Sequence, residues 1–304
     1  MKCNICPREC LVDRDSGQLG ACGVTNEIYV ARISLHMWEE PCISGVEGSG
    51  AVFFVGCNLG CIYCQNYEIS HGRSNNRSCT LLPGKKYTLD GLADSFVELQ
   101  NMGANNINLV TPTHYSMQII DAVKLARNRG LTIPIVYNCS GYEKVETLKL
   151  LKDVVDIYLT DFKYMNSEIA KRYSRAENYA EIAKFALDEM VKQKPQPEFD
   201  DRGIMTRGVI VRNLLLPGNV KKSKEVVKYV HETYGNRVYI SIMNQYTPLS
   251  QVKEIEPLNR KVTKREYDRL VEYAMSMGIE NAFIQEGDVA SESFIPEFGF
   301  SEAD

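Results

Sequence analysis

The sequence predicts an α/β fold built on a parallel sheet. Two observations carry this. Short apolar runs of strand length alternate with longer segments of helical period: AVFFV at 51–55, INLV at 107–110, IPIVYN at 133–138, DIYLT at 156–160, GVIVR at 208–212 and VYISIM at 238–243. Such alternation is the signature of strands joined by crossover helices. A count of six or seven strands also stops short of a closed eight-fold barrel. In parallel α/β folds, sites form at the C-terminal ends of the strands. Here those ends are polar: Thr111-Pro112-Thr113-His114, Asn138-Cys139-Ser140-Gly141, Asp161-Phe162-Lys163, Arg212-Asn213 and Asn244-Gln245-Tyr246.

The bounds are consistent with a catalytic domain. A chain of 304 residues can bury a full core. The net charge of −4 gives no basic excess to mark nucleic acid as a partner. No apolar run approaches the length of a membrane span. The opening MKCNICPREC has no apolar core of a secretory signal. Ten cysteines in such a chain point to metal sites in a reducing cytoplasm, not to a disulfide framework.

Three regions are expected: a Cys-rich knuckle within 1–45, the barrel at 46–285 and a tail at 286–304. Cys3, Cys6, Cys10 and Cys22 follow C-x2-C-x3-C-x11-C, punctuated by Pro7, Gly17, Gly20 and Gly23. A looped segment with almost no apolar residues needs a staple. Four thiolates can close a tetrahedral zinc site or hold an auxiliary iron–sulfur cluster, and the spacing does not choose between them. The knuckle also offers a docking surface for a protein partner. EIYVARI, 27–33, reads as a strand leading toward the main body. Beyond it lie His36, read as structural, and Glu39 and Glu40, which either salt-bridge or face the site. Cys42 and Cys79 read as packing residues.

The apolar run 51–55 delivers the chain to Cys57, Cys61 and Cys64, spaced C-x3-C-x2-C, with Gly56 and Gly60 supplying tight backbone turns. A structural zinc site normally takes four ligands, and an ordinary electron-carrying cluster takes four cysteines. This loop supplies three. A cubane held by three thiolates keeps one iron open for an exchangeable ligand.

The remaining elements follow in order. A helix opens at Thr88-Leu89-Asp90, carries Leu92, Phe96 and Leu99 on one face and stops at Gly103. Helices follow at 117–130, with Gly130 after its end, over VETLKLLKDV, at 178–193, over KKSKEVVKYVHETYG and over TKREYDRLVEYAMSMG, which ends at Gly278. AFI, 282–284, is a last short strand, and KPQPEFDDRG, 194–203, is a surface loop. The tail keeps Phe294, Ile295, Phe298 and Phe300 to fold back over the barrel.

The three-cysteine loop, with Tyr63 before its last cysteine, resembles the signature loop of the radical S-adenosylmethionine (SAM) enzymes. Its context, EEPCISGVEGSGAVFFVGCNLGCIYCQN, resembles the pyruvate formate-lyase activating enzyme-like branch. The resemblance implies a partial (β/α)6 TIM-type barrel and a [4Fe–4S] cluster on Cys57, Cys61 and Cys64. It also implies that SAM chelates the open iron and is cleaved reductively to a 5′-deoxyadenosyl radical, which abstracts hydrogen from the substrate. Many members carry Gly-Gly-Glu after the second strand to hold the SAM amino group. This chain has Thr111-Pro112-Thr113, so hydroxyls and carbonyls remain and the carboxylate is missing. Asn138 and Ser140 fall where related activases place polar residues near SAM. Asp161 and Lys163 match an Asp-x-Lys after the fourth strand, for the ribose or ammonium and the carboxylate. Arg212 offers a bidentate fork for that carboxylate. Each of these residues also has a capping role open to it.

His114 reads as a hydrogen-bonding residue, because radical chemistry needs no general base. Cys139 reads as a packed thiol, and Gln245 and Tyr246 as cavity residues. Arg73, Arg77, Lys85 and Lys86 suggest docking of an acidic flavodoxin or ferredoxin that reduces the cluster. The function expected from the resemblance is that of an activase, with a glycyl-radical enzyme as protein substrate. Two alternatives stand: radical modification of another protein or of a small molecule, and a non-catalytic Fe–S or zinc scaffold.

Overall fold

The computed structural model describes residues 2–71 and 84–285. Its strands are β1 Ile28–His36, β2 Ser49–Phe54, β3 Lys85–Tyr87, β4 Ile107–Val110, β5 Ile135–Cys139, β6 Ile157–Asp161, β7 Glu198–Phe199, β8 Met205–Leu214, β9 Tyr239–Met243 and β10 Ala282–Ile284. Its helices are α1 Pro41–Ser44, α2 Tyr67–Ser70, α3 Leu89–Asn101, α4 Ser116–Asn128, α5 Val145–Leu151, α6 Ser167–Ser174, α7 Tyr179–Gln193, α8 Val220–Tyr234 and α9 Lys264–Ser276. The sheet runs β10-β9-β8-β6-β5-β4-β2-β1-β3, with β7 paired to β8. From β2 through β9 the neighbours in this order are parallel, and β10 adds a seventh parallel strand at the edge. The expected six or seven parallel strands are therefore present, the seventh being the short strand expected at 282–284, and the sheet is not closed.

Local chemistry accounts for the elements. All residues of β2 and β5 are buried, as parallel strands covered on both faces require. Helix α3 starts at Thr88, whose hydroxyl accepts from the Gly91 amide at 3.0 Å, and buries Leu92, Ala93, Phe96 and Leu99. Helix α9 starts with a capping box between Thr263 and Glu266. Among the described residues, no helix is long and apolar enough to cross a membrane.

Three elements differ from expectation. β1 does not merely lead to the barrel. It joins the sheet, antiparallel to β2, and β3 pairs on its other side. The segment 194–203 is part of a hairpin, because Glu198 and Phe199 pair with Arg207 and Met205. Between β6 and α7 stands α6, which the sequence analysis did not foresee. It is capped by Asn166, which accepts from the Ile169 amide at 2.9 Å. Cys79, Arg73, Arg77 and the tail lie outside the described residues.

Strand alternation builds the interior in layers. Val136, Ile157, Leu159 and Ile210 pack with Cys42, Ile43 and Met205 in one apolar cluster at the barrel's floor. Cys42 is thus a packing residue, with its neighbour Ile43 fully buried. Two positions further along three of those strands, on the same face, come Asn138, Asp161 and Arg212. The floor is apolar and the next layer is charged.

Candidate functional site

The charged layer lines a cavity of about 240 Å³ at the C-terminal ends of the strands. Register sets its pairs: Asp161 lies directly across from Arg212, and Cys139 across from Thr160. Arg212 donates from Nε to Asp161 Oδ1 at 3.3 Å, from Nη1 to Glu39 Oε2 at 3.1 Å and from Nη2 to Asn138 Oδ1. Lys163 Nζ donates to Asp161 Oδ2 at 2.6 Å. The other oxygen of Glu39 accepts from Asn108 Nδ2 at 2.9 Å and Asn138 Nδ2 at 3.3 Å. Glu39 therefore both salt-bridges and faces the cavity, the two roles the sequence left open.

The electrostatics follow from burial and pairing. Burial opposes the charged form of Asp161, yet Lys163 and Arg212 together hold its carboxyl below the ordinary range. Burial likewise opposes the Lys163 ammonium, and Asp161, then Cys61, keep it protonated above the usual lysine range. Glu40 lies fully buried beside this layer. Burial pushes its carboxyl up, and Arg212 offsets part of that.

The cysteine loop forms one wall. Gly56 and Gly60 take positive φ, 91° and 65°, which turns the chain on either side of Cys57. Cys57, Cys61, Tyr63 and Cys64 all line the cavity. The Leu59 amide donates to Cys57 Sγ at 3.3 Å, and the Ser174 hydroxyl donates to Cys61 Sγ at 3.0 Å. Burial, then the neighbouring Cys61, pushes the Cys57 thiol up to about 12. The donor set suits an iron–sulfur cluster: three thiols sit on one loop, two of them already receive hydrogen bonds, and burial pushes the thiols of Cys57 and Cys64 up, so that a bound metal is what would favour their thiolates. Among the described residues, no three His, Cys, Asp or Glu side chains stand at the spacing of a single bound ion.

Residues 51–192 match the family model of the radical SAM superfamily. That span contains the three loop cysteines, Thr111, Asn138 and the Asp161–Lys163 pair, while Glu39 and Arg212 lie outside it. The uncharacterized protein MJ0674 of Methanocaldococcus jannaschii is 29% identical over 285 residues, covering 91% of this chain and 75% of its own. A Haemophilus influenzae protein whose name proposes a glycyl-radical enzyme activating enzyme is 26% identical over 123 residues, 40% of this chain and 44% of that one. The crystal structure of HydG, a maturase of the [FeFe]-hydrogenase, shares the fold with a TM-score of 0.51 at 17% identity. The likeness covers 74% of this chain and 48% of HydG, so this chain spans about half of HydG's length. The family match over 51–192 supports a radical SAM reading, and the likeness to HydG shows a shared fold, an open barrel of parallel strands.

The structure brings most of the expected radical SAM positions together. Thr111, Asn138, Ser140, Asp161, Lys163 and Arg212 all line the cavity with the loop. Thr113 does not: its hydroxyl donates to Glu143 Oε1 at 2.9 Å inside the helix-covered core. It sits in a turn after β4, so strand alternation does not apply to it. Thr111 takes a left-handed φ of 58°, an outlier for a β-branched residue. His114 is buried with Nε2 2.8 Å from the Val55 carbonyl, and burial, then Arg14, pushes it down to about 3. It is a neutral structural residue. Cys139 is packed beside Thr160, with Sγ to Oγ1 at 3.5 Å, and also borders the cavity. Gln245 and Tyr246 line the wall. So do His36, read from the sequence as structural, and Trp38, which no motif marked.

Proposed function

We propose that this chain is a radical SAM enzyme whose [4Fe–4S] cluster is held by Cys57, Cys61 and Cys64. When bound, that cluster supplies one electron to the SAM sulfonium, which yields the radical used for hydrogen abstraction. One observation carries the reading: three thiols on a glycine-turned loop face a layer of paired charges across a single cavity. In this reading Lys163 and Arg212 meet the SAM carboxylate, and Asp161 meets the ribose or ammonium. The Asn138 amide, Ser140 and the Thr111 hydroxyl complete the polar rim. Glu39 is a positioning residue that fixes the Arg212 fork. The apolar floor keeps water from below the reacting centre.

The finer reading is an activase that forms a glycyl radical on a partner enzyme. Two observations favour it: the resemblance of the loop's context to activating enzymes, and the Haemophilus influenzae relative over 123 residues. The electron donor in this reading is a flavodoxin or ferredoxin. An oxygen-labile cluster and reduced thiols favour a cytoplasmic setting. Of the basic residues suggested for docking the donor, Lys85 and Lys86 lie on β3, where the Lys86 ammonium pairs with Glu27 at the surface.

The test is anaerobic. The protein is loaded with iron and sulfide, reduced, and given SAM. 5′-Deoxyadenosine above the level of a Cys61→Ala control supports the reading. A loaded cluster that fails to bind SAM overturns it and leaves the scaffold alternative.

A further inference from the structure

The N-terminal knuckle is wired to the cysteine loop. Arg8, set between Cys6 and Cys10, donates to the carbonyls of Asn58 and Leu59 at 2.8 and 3.0 Å, inside the Cys57–Cys61 interval. Its other contacts are the carbonyls of Ser174 and Arg175 at 3.0 and 2.6 Å, and its guanidinium lies 5.2 Å from the centre of the Tyr142 ring. The Cys57 amide donates to the carbonyl of Cys22 at 3.2 Å. A Cβ on Gly56 would meet that same carbonyl at 2.7 Å, so the two cysteine segments touch through backbone.

The knuckle itself holds strain with few buried apolar residues of its own. Glu9 and Leu11, on either side of Cys10, both take left-handed φ, 41° and 54°. Residues held in this region persist only where their surroundings over-determine them. Yet the buried apolar residues of segment 2–27 are Cys6, Cys22 and Val24. Two of the thiols flank one point: a Cβ on Gly20 would lie 3.0 Å from Cys22 Sγ and 3.7 Å from Cys10 Sγ. Four free thiols on one short strained loop with few apolar neighbours form a soft ligand set for a cation.

We propose that Cys3, Cys6, Cys10 and Cys22 form a closed four-thiolate metal centre, and that its loading braces the cysteine loop through Arg8 and the Cys22 carbonyl. The centre is a staple for the knuckle and a support for the neighbouring loop. Among the described residues no three His, Cys, Asp or Glu side chains stand at single-ion spacing, so a closed centre requires the thiols to move inward on loading, and Arg8 and the Cys22 carbonyl are the contacts that join them to the loop. The bracing half rests on the loop holding iron. The centre itself does not.

The experiment separates the two halves. The full chain carrying Cys57→Ala, Cys61→Ala and Cys64→Ala is purified anaerobically, and its zinc, iron and sulfide are counted. One zinc per chain, or iron with matching sulfide, supports the centre and names its metal. No stoichiometric metal overturns it. Against misfolding of that variant, Cys10→Ser is made in the otherwise intact chain. It should lose the knuckle metal and keep the loop iron, and an unchanged metal count overturns the centre. For the bracing, Arg8→Lys should retain the knuckle metal yet release loop iron to a chelator on the order of 10-fold faster, the scale typical of lost outer contacts at metal sites. An unchanged release rate in Arg8→Lys and Cys10→Ser overturns the bracing and leaves the centre standing.

Discussion

Glu39 and Arg212, 173 residues apart in the chain, meet at 3.1 Å across the mouth of the cavity. Their side chains are only 10% and 12% exposed, so this is an interior ion pair, in which removal of one partner strands the other. Arg212→Met leaves both Glu39 and Asp161 short of a cation. The expected loss is about 3–5 kcal/mol in urea denaturation at fixed metal loading. Glu39→Gln should cost less, because its amide can still accept from Asn108. The double variant should recover part of the Arg212→Met loss, a coupling that additive sites would not show.

Glu143 gives a pH signature. Burial pushes its carboxyl up to about 8, against the pull of Thr113 and Tyr137. Below the unfolded value both states hold the proton. Between that value and about 8 the folded state alone keeps it, so stability falls as pH rises through this window. Glu143→Gln should flatten the curve between roughly pH 5 and 8, by a few kcal/mol at its upper end. Denaturation midpoints measured across that range decide the matter, and a wild-type curve that rises there would refute it.

Gly141 is bound to its place by a neighbour's backbone. Its φ is 76°, and an added Cβ would stand 2.2 Å from the Asp161 carbonyl oxygen. Gly141→Ala must therefore displace the end of β6 or the turn after β5. The expected cost is about 2–4 kcal/mol, the sum of a strained backbone and a clash. SAM affinity should weaken as well, since Asp161 moves with its carbonyl. Binding and melting measured together on this variant test the linkage.

Thr111 offers the reverse experiment. Thr111→Gly removes the penalty of a left-handed β-branched residue and should raise stability by about 1 kcal/mol. Thr111→Val keeps the strain and discards the hydroxyl. If the hydroxyl contacts SAM, both variants weaken SAM binding while only the glycine gains stability. Equal melting temperatures for the two would show that the backbone strain carries no cost.

The sequence made the barrel legible where period and burial agree, as in β2, β5, α3 and α7. It missed α6, whose eight residues bury only Ala170, Tyr173 and Ser174. It missed β3 and β7 because strands of three and two mostly exposed residues are imposed by their partners β1 and β8. Selecting polar residues at strand ends found Asn138, Asp161 and Arg212. Applying alternation as well favours Asn138 over Cys139 for the inner layer and leaves Thr113, in a turn, unassigned. Arg8 stayed hidden because its partners are backbone carbonyls, which carry no residue signal. Glu39 stayed ambiguous because its partner stands across the whole barrel.

The ion pair between Glu39 and Arg212 also bears on how this protein can be cut and joined. The segment that matches the family, 51–192, keeps every loop cysteine. It would also keep the Asp161–Lys163 pair, yet lose Arg212 and Glu39, which extend that pair into a network across the mouth. A graft of that segment onto another scaffold would carry the signature and arrive with half of the network. The smallest portable unit is set by the reach of the charges, from the segment after β1 to β8, and not by the motif.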